Sequence, residues 1–245
     1  IQTIMYDAVD IQGAKTTADK IFGILEIGDV KQIDKKDAQE LHALHIKNLS
    51  KSYGDRQLFT HLNLDVQAGQ KVLIKGPSGC GKSTLFRLIT GEEIADEGEI
   101  IGVTTVNEST SSFVSSIGII NQHPFLFNDT VRYNLTLGQE FSEEELLAVL
   151  KQVKLDFELT GGLDFIIKNN GENISGGQRV RIELARFLLR RKNLLLADEV
   201  TATLDKENAL MVHELLFSLP VMMLEIAHHI DDESRYQQVV DLGKY

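Results

Sequence analysis

The sequence has a single cysteine, no tryptophan and only 3 prolines in 245 residues. The lone cysteine, Cys80, excludes an intrachain disulfide and fits a reducing, cytosolic setting. Basic residues are also scarce: 25 lysines and arginines stand against 36 aspartates and glutamates, which gives a formal net charge of −11. Because a nucleic-acid partner requires a basic surface that neutralises phosphates, this balance argues against one.

Long hydrophobic runs are missing as well. No apolar stretch approaches the ~20 residues that cross a bilayer, and no basic-then-apolar signal peptide opens the chain, so we expect the visible chain to be soluble. Its start at Ile1, without an initiator methionine, favours a piece of a longer polypeptide. Residues 1–42 place apolar side chains at roughly helical spacing before a charged stretch, and we interpret them as a tail and linker.

Residues 43–245 alternate strand and helix patterns. Apolar runs predict buried strands at 71–74 and 194–198, and helical patterns follow them, which is typical of a mostly parallel sheet flanked by helices. Alternating apolar and polar residues predict half-buried strands at 44–49 and 62–66. A helical subdomain is expected at about 123–188, where Ser142 and Glu145 form an S-x-x-E capping box.

The strand at 71–74 runs into a glycine-rich loop that matches the pattern G-x-x-x-x-G-K-[ST]. Its residues are Gly76, Pro77, Ser78, Gly79, Cys80, Gly81, Lys82, Ser83 and Thr84. Glycines let successive backbone N–H groups face inward at a helix N-terminus, Lys82 reaches the β- and γ-phosphates, and Ser83 holds Mg²⁺. The loop predicts a nucleoside triphosphate site; the lack of an Asn-Lys-x-Asp motif disfavours a small GTPase.

A second apolar strand ends in two carboxylates, Asp198 and Glu199. Asp198 is placed at the carboxyl end of the strand, where open α/β sheets bind ligands, and is predicted to share Mg²⁺ with Ser83. Glu199 is predicted to polarise the attacking water. A surface Asp-Glu pair without chemistry is the alternative.

The most specific motif is Ile174-Ser175-Gly176-Gly177-Gln178. Ser175, the bare backbone of the two glycines and the positive end of the following helix form a second anion site, and Gln178 completes an S-x-x-Q capping box. The motif resembles the signature sequence of ATP-binding-cassette (ABC) proteins, usually written Leu-Ser-Gly-Gly-Gln. Residues 44–245 as a whole resemble the nucleotide-binding domain of an ABC transporter.

This resemblance implies an α/β fold of the P-loop NTPase type: a mostly parallel sheet core, an antiparallel β subdomain and an inserted α-helical signature subdomain. It implies ATP and Mg²⁺ as cofactors, and ATP hydrolysis coupled to transport. Each ATP would lie between one chain's phosphate loop and the signature of a second nucleotide-binding domain, in a head-to-tail homodimer or heterodimer. A transmembrane permease domain, expected to be fused N-terminally, would hold the chain at the cytoplasmic face of the cell membrane.

The resemblance assigns further roles. Tyr53 matches the aromatic platform that stacks on adenine, and Gln122 matches the glutamine that joins the active site and its metal to the transmembrane domain. His228 matches the histidine that contacts the γ-phosphate and orients the catalytic glutamate, with His229 as the neighbouring alternative. Asp205 matches the dimer-contact loop, although a helix N-cap would explain it equally well.

Two features refine the comparison. The stretch at 125–131, similar to the segment after the glutamine in exporters, favours the exporter type. Asn169 stands where many exporters carry a glutamate that makes a cross-domain contact ahead of the signature, so the sequence departs from the family pattern here.

Two rival functions are weighed against transport. A non-transport ABC ATPase acting on DNA or ribosomes is opposed by the acidic charge, by the single cassette and by the short spacing between Lys82 and Ser175, which leaves no room for a long coiled coil. A degenerate cassette that binds ATP without turnover is opposed by the presence of both Glu199 and His228.

Overall fold

The fold is built on two β-sheets, one antiparallel and one parallel. The computed structural model describes residues 40–104, 108–109, 112–155, 161–227, 230 and 232–245. The tail and linker expected at 1–42 falls almost entirely outside the described residues, and so do His228 and His229.

The antiparallel sheet has the strand order β2-β1-β4-β5. Its strands are β1 (Leu41–Tyr53), β2 (Arg56–Gln67), β4 (Glu97–Thr104) and β5 (Glu108–Ser109). The first two include the strands predicted at 44–49 and 62–66 but are longer. Irregularities in the register after Ile46 interrupt the alternation of apolar and polar residues, so the sequence pattern stops before the strand does.

The second sheet is parallel throughout, with the order β6-β7-β8-β3-β9. Its strands are β3 (Lys71–Lys75), β6 (Ile117–Asn121), β7 (Leu194–Asp198), β8 (Met222–Ile226) and β9 (Gln238–Asp241). The prediction of a mostly parallel sheet is confirmed. Parallel pairing brings the carboxyl ends of these strands to one edge, which is where ligands bind in open α/β sheets.

Helices connect and cover the strands. They are α1 (Lys82–Ile89), α2 (Val131–Thr136), α3 (Glu143–Gln152), α4 (Gly176–Leu189) and α5 (Lys206–Ser218). Both predicted capping boxes form, at the N-termini of α3 and α4. Helices α2 to α4 lie in or next to the predicted helical range of 123–188. Within the described ranges, none of the helices is long and apolar enough to cross a membrane.

Two hydrophobic cores enclose the parallel sheet. In β7, Leu195 and Ala197 belong to the core shared with the helical region, whereas Leu194 and Leu196 belong to the core shared with the antiparallel sheet. Side chains on both faces of β7 are therefore buried, which explains why the strand is a continuous apolar run. The strand ends remain accessible at the sheet edge.

Candidate functional site

A cleft of about 300 Å³ opens at the carboxyl edge of the parallel sheet. It is lined by Ser83, Asn121, Gln122, His123, Asp198 and Glu199. Strands β6 and β7 are adjacent in the sheet, and Asn121 pairs with Asp198. Strand β3, which leads into α1, lies two strands away from β7. The Ser83 hydroxyl donates to Oδ2 of Asp198 over 3.4 Å. The structure thus brings together the metal-site residues predicted on three separate segments.

The phosphate loop adopts a conformation that depends on its glycines. The φ angles of Gly76, Gly79 and Gly81 are +146°, +78° and +103°, values that disfavour any side chain. An added Cβ at Gly81 would also lie 3.0 Å from the Phe59 ring. The loop can therefore keep this shape only with glycine at these positions.

Lys82 begins α1 and folds back over the loop. Its ammonium donates to the carbonyl oxygens of Gly76 (2.8 Å) and Pro77 (3.1 Å), and the residue is buried. These two carbonyl oxygens partly balance the charge of the buried ammonium. The ammonium is positioned where an anion seated in the loop would be within reach.

Glu199 adopts a left-handed backbone conformation, with φ of +50°. Its backbone N–H donates to the Ile226 carbonyl over 2.9 Å, which ties the end of β7 to the end of β8. A non-glycine residue held at positive φ costs on the order of 1 kcal/mol, and such strain concentrates at functional positions. The conformation directs the chain away from the strand immediately after Asp198.

Tyr53 lies at the tip of the β1–β2 hairpin with 45% of the residue exposed. Its hydroxyl donates to the Glu93 carboxylate, and this bond, together with Arg87 and Lys51, holds the pKa of Glu93 below its usual value. Arg87 also donates to the Tyr53 oxygen over 3.3 Å, and the Lys51 ammonium lies 5.4 Å from the ring centroid. The ring is accessible to a ligand yet fixed at its edge.

The signature motif lies at the N-terminus of α4. The Ser175 side chain accepts from the Gln178 N–H (3.1 Å), and the Gln178 side chain accepts from the Ser175 N–H (2.9 Å). Of the described residues that line the cleft, none belongs to 175–178. The signature therefore does not line this cleft, which the phosphate loop reaches through Ser83.

The two signature glycines also have a packing role within the chain. An added Cβ on Gly176 would lie 2.8 Å from Cδ2 of Leu204, and one on Gly177 would lie 2.6 Å from Oδ1 of Asn208. A side chain at either position would therefore require Leu204 or Asn208 to shift. The two glycines allow the start of α4 to pack closely against these side chains and leave its backbone N–H groups uncovered.

Asp205 is the N-cap of α5. Its carboxylate accepts from the backbone N–H (3.0 Å) and the side-chain amide (2.6 Å) of Asn208, and these bonds lower the pKa of Asp205. The structural role anticipated for this residue is present, and its role in a dimer stays a prediction. Asn169 donates to the Glu172 carboxylate over 3.0 Å, so its amide is engaged within the chain.

Sequence reasoning missed two residues of the cleft, Asn121 and His123. Both flank Gln122 at the end of β6. The signal was available in the apolar run at 117–120, because side chains that follow parallel strands meet at the carboxyl edge of the sheet. His228, assigned to the γ-phosphate, lies outside the described residues.

A glycine-rich phosphate loop between β3 and α1, facing a strand that ends in two carboxylates, defines a P-loop nucleotide-binding domain. The family model described as "ABC transporter" matches residues 59–202, more than half of the chain. The chain belongs to the ABC transporter family, as one of its ATP-binding ATPase domains.

Named relatives agree with this assignment. The chain is 36% identical over 242 residues to the ATP-dependent lipid A-core flippase of Francisella tularensis subsp. holarctica, covering 95% of this chain and 40% of that protein. It is 36% identical over 246 residues to the same-named protein of Desulfotalea psychrophila, covering 96% of this chain and 43% of that one.

A solved structure is similar too. The structure of a bacterial Atm1-family ABC exporter with ATP bound has a TM-score of 0.71 and 28% sequence identity, covering 95% of this chain and 43% of that one. The chain spans about two fifths of the length of these proteins.

Proposed function

We propose that this ATP-binding domain powers the export of a substrate across a membrane, by associating with a second nucleotide-binding domain when ATP is bound. The observation that carries the proposal is the separation of the signature from the cleft. Residues 175–178 form the start of helix α4, where an anion would bind, yet the cleft beside the phosphate loop is lined by other residues. A second chain would supply its own signature to this cleft and receive this chain's signature in return.

The residues at the sheet edge fit ATP and Mg²⁺. Among the described residues, no three histidine, cysteine, aspartate or glutamate side chains come together as a metal site. Mg²⁺ does not need such a cluster, because it is usually held by one or two carboxylates together with substrate phosphates and water. The Asp198 carboxylate, the Ser83 hydroxyl and the Gln122 amide would supply the oxygen ligands from the protein. When bound, Mg²⁺ would neutralise charge on the β- and γ-phosphates.

The proposed chemistry is attack of water on the γ-phosphate. Glu199 lines the cleft next to Asp198 and would orient or deprotonate that water. Lys82 and the loop N–H groups would bind the phosphates and stabilise their charge. His228 is proposed to contact the γ-phosphate, and Gln122 is proposed to link the active site to the transmembrane domain.

Tyr53 is proposed to stack on adenine. Its ring is exposed and is held at the edge by the hydrogen bonds of its hydroxyl, so a flat base could pack on its open face. Stacking is worth only ~0.5–1.5 kcal/mol beyond area burial and reads ring shape rather than a hydrogen-bonding edge. We therefore propose modest selectivity for ATP over GTP.

The membrane part is inferred from the relatives. They are named as a flippase and an exporter, and this chain spans about two fifths of their length. We propose that a permease domain, fused N-terminally, provides the path for the substrate and holds this domain at the cytoplasmic face of the cell membrane. The nature of the transported substrate would be set by that domain.

The proposal is tested by mixing two inactive variants. Ser175→Arg blocks the signature, and Lys82→Ala disables the phosphate loop. In a mixed dimer, one composite site carries both changes and the other carries neither. Each variant alone should hydrolyse ATP poorly, whereas an equal mixture should recover about a quarter of the wild-type rate, since half of the dimers are mixed and each has one intact site of two.

Arg191→Ala provides the control. The Arg191 side chain is 84% exposed, and its ion pair is with Glu145 of α3, outside the signature and the phosphate loop. That variant should hydrolyse ATP at the wild-type rate and, when mixed with either inactive chain, should give no recovery beyond dilution. A mixture of the two inactive variants that stays inactive, with a wild-type rate per chain independent of protein concentration, would contradict the shared site.

A further inference from the structure

We propose that Arg56 is a positioning residue for nucleotide binding: its guanidinium holds the Gly79 carbonyl away from the phosphates and so keeps the phosphate loop in its anion-binding conformation. This inference rests on the proposed function, since it concerns the same ATP site. It assigns a role to a side chain outside the glycine-rich motif and outside the cleft.

The contact is direct. Arg56 begins β2, and its Nη2 donates to the carbonyl oxygen of Gly79, in the middle of the phosphate loop, over 2.9 Å. The approach is so close that a Cβ added to Gly79 would lie 2.6 Å from that nitrogen. A hydrogen bond from a charged donor is shorter and stronger than one between neutral groups, so this bond can restrain the loop.

The restrained peptide group, the one between Gly79 and Cys80, could otherwise rotate. Gly79 has φ of +78° and no Cβ, so its backbone changes conformation at little steric cost. The C=O and N–H of one peptide group point in opposite directions. A rotated peptide would turn the Gly79 oxygen, an acceptor, toward the phosphates, which weakens an anion site built from inward N–H groups.

Two hydrogen bonds set the orientation of this peptide. At one end Arg56 donates to the Gly79 oxygen, and at the other the Cys80 N–H donates to the Pro77 oxygen over 3.3 Å. Lys82, which lies on the phosphate side, donates to the oxygens of Gly76 and Pro77 instead. The Gly79 oxygen is thus held on the side of the hairpin, away from the ammonium that meets the phosphates.

The same hairpin tip carries Tyr53. Tyr53 and Arg56 are opposite each other in the register of β1 and β2. Tyr53 is linked to α1 through Arg87, which also donates to the Thr84 hydroxyl over 3.2 Å. The tip of the hairpin therefore contacts the phosphate loop through Arg56 and helix α1 through Tyr53. These contacts fix the distance between the Tyr53 ring and the phosphate loop in the nucleotide-free protein.

The test compares Arg56→Ala, Arg56→Lys and the exposed control Arg191→Ala. Hydrogen exchange of the nucleotide-free loop is measured by mass spectrometry, and dissociation constants are measured for ATP and ADP. Arg56→Ala should speed exchange in residues 76–84 and weaken ATP and ADP by a similar factor of about ten, the value of one such hydrogen bond. Arg56→Lys, which keeps a charged donor, should restore most of the affinity, and Arg191→Ala should match the wild type.

Steady-state kinetics add a second measurement. KM for ATP should rise in Arg56→Ala while kcat changes less than about twofold, because the loop still reaches its active conformation once nucleotide is bound. Unchanged hydrogen exchange in the nucleotide-free loop would overturn the proposal. A loss of affinity for ATP but not for ADP would also overturn it, because that result would indicate direct contact of Arg56 with the γ-phosphate. The exchange measurement requires neither hydrolysis nor dimerisation, so its outcome is independent of whether the proposed function is correct.

Discussion

Arg186 is the residue whose removal we expect to destabilise the domain most clearly. It lies on α4 with 7% of the residue exposed, and it donates to the carbonyl oxygens of Phe125 (2.8 Å) and Asn134. It also donates to the Asn134 side chain (2.9 Å) and pairs with the Glu183 carboxylate. One guanidinium thus fastens the segment that follows Gln122 to the signature helix.

The magnitude follows from what Arg186→Met would leave behind. The Glu183 side chain is only 18% exposed, so its carboxylate would lose its closest cation in a poorly solvated place. The freed carbonyl oxygens would lose a donor as well. Breaking a buried pair by removing one partner costs about 3–5 kcal/mol. For a domain of this size, the midpoint of thermal unfolding should fall by roughly 6–20 °C.

Thermal unfolding of the purified chain measures this loss, with Arg191→Ala as the exposed control, which should change stability by less than about 0.5 kcal/mol. Burial raises the pKa of Glu183, and the Arg186 charge opposes that rise. Without Arg186, the pKa of Glu183 in the folded state should rise further. The folded variant then binds more protons than the unfolded variant as the pH falls. The variant should therefore regain stability as the pH falls toward 5.

A double variant separates the two parts of the loss. Arg186→Met combined with Glu183→Gln removes the unpaired carboxylate, so it should be more stable than Arg186→Met alone at neutral pH and should lose the recovery at low pH. A single variant that melts within about 2 °C of the wild type, or a double variant no more stable than the single one, would refute the reasoning.

Three further predictions concern the site and the core. Glu199→Gln should retain ATP binding, lose at least about 100-fold in hydrolysis and accumulate an ATP-bound dimer on size-exclusion chromatography; near-normal turnover would remove Glu199 from the mechanism. Bulky alkylation of the partly buried Cys80 should block ATPase activity, and bound Mg-ATP should protect the thiol from alkylation. Full modification without loss of activity would show that Cys80 does not lie against the bound phosphates. Burial lowers the pKa of Lys71 to about 8, so the folded state binds fewer protons than the unfolded state between pH 8 and 10.5. The free energy of unfolding, relative to Lys71→Met, should then rise by up to ~3 kcal/mol across that window, and a constant difference would contradict the shift.

Features that depend on neighbouring residues could be predicted from the sequence alone. The capping boxes at Ser142 and Ser175 formed as predicted, because each joins residues three positions apart. The phosphate loop was recognisable because its glycines are needed for a local backbone shape. The apolar run of β7 was recognisable because that strand is buried on both faces.

Tertiary structure decided which distant residues meet. The order β6-β7-β8-β3 places the end of β6 beside Asp198, and this brings Asn121 and His123 into the cleft. Arg56 and Arg186 likewise act on segments far away along the chain, since Arg56 contacts Gly79 and Arg186 contacts Phe125. Such contacts are set by strand order and packing, which propensity and periodicity do not encode, because both describe only the residues within a few positions of one another.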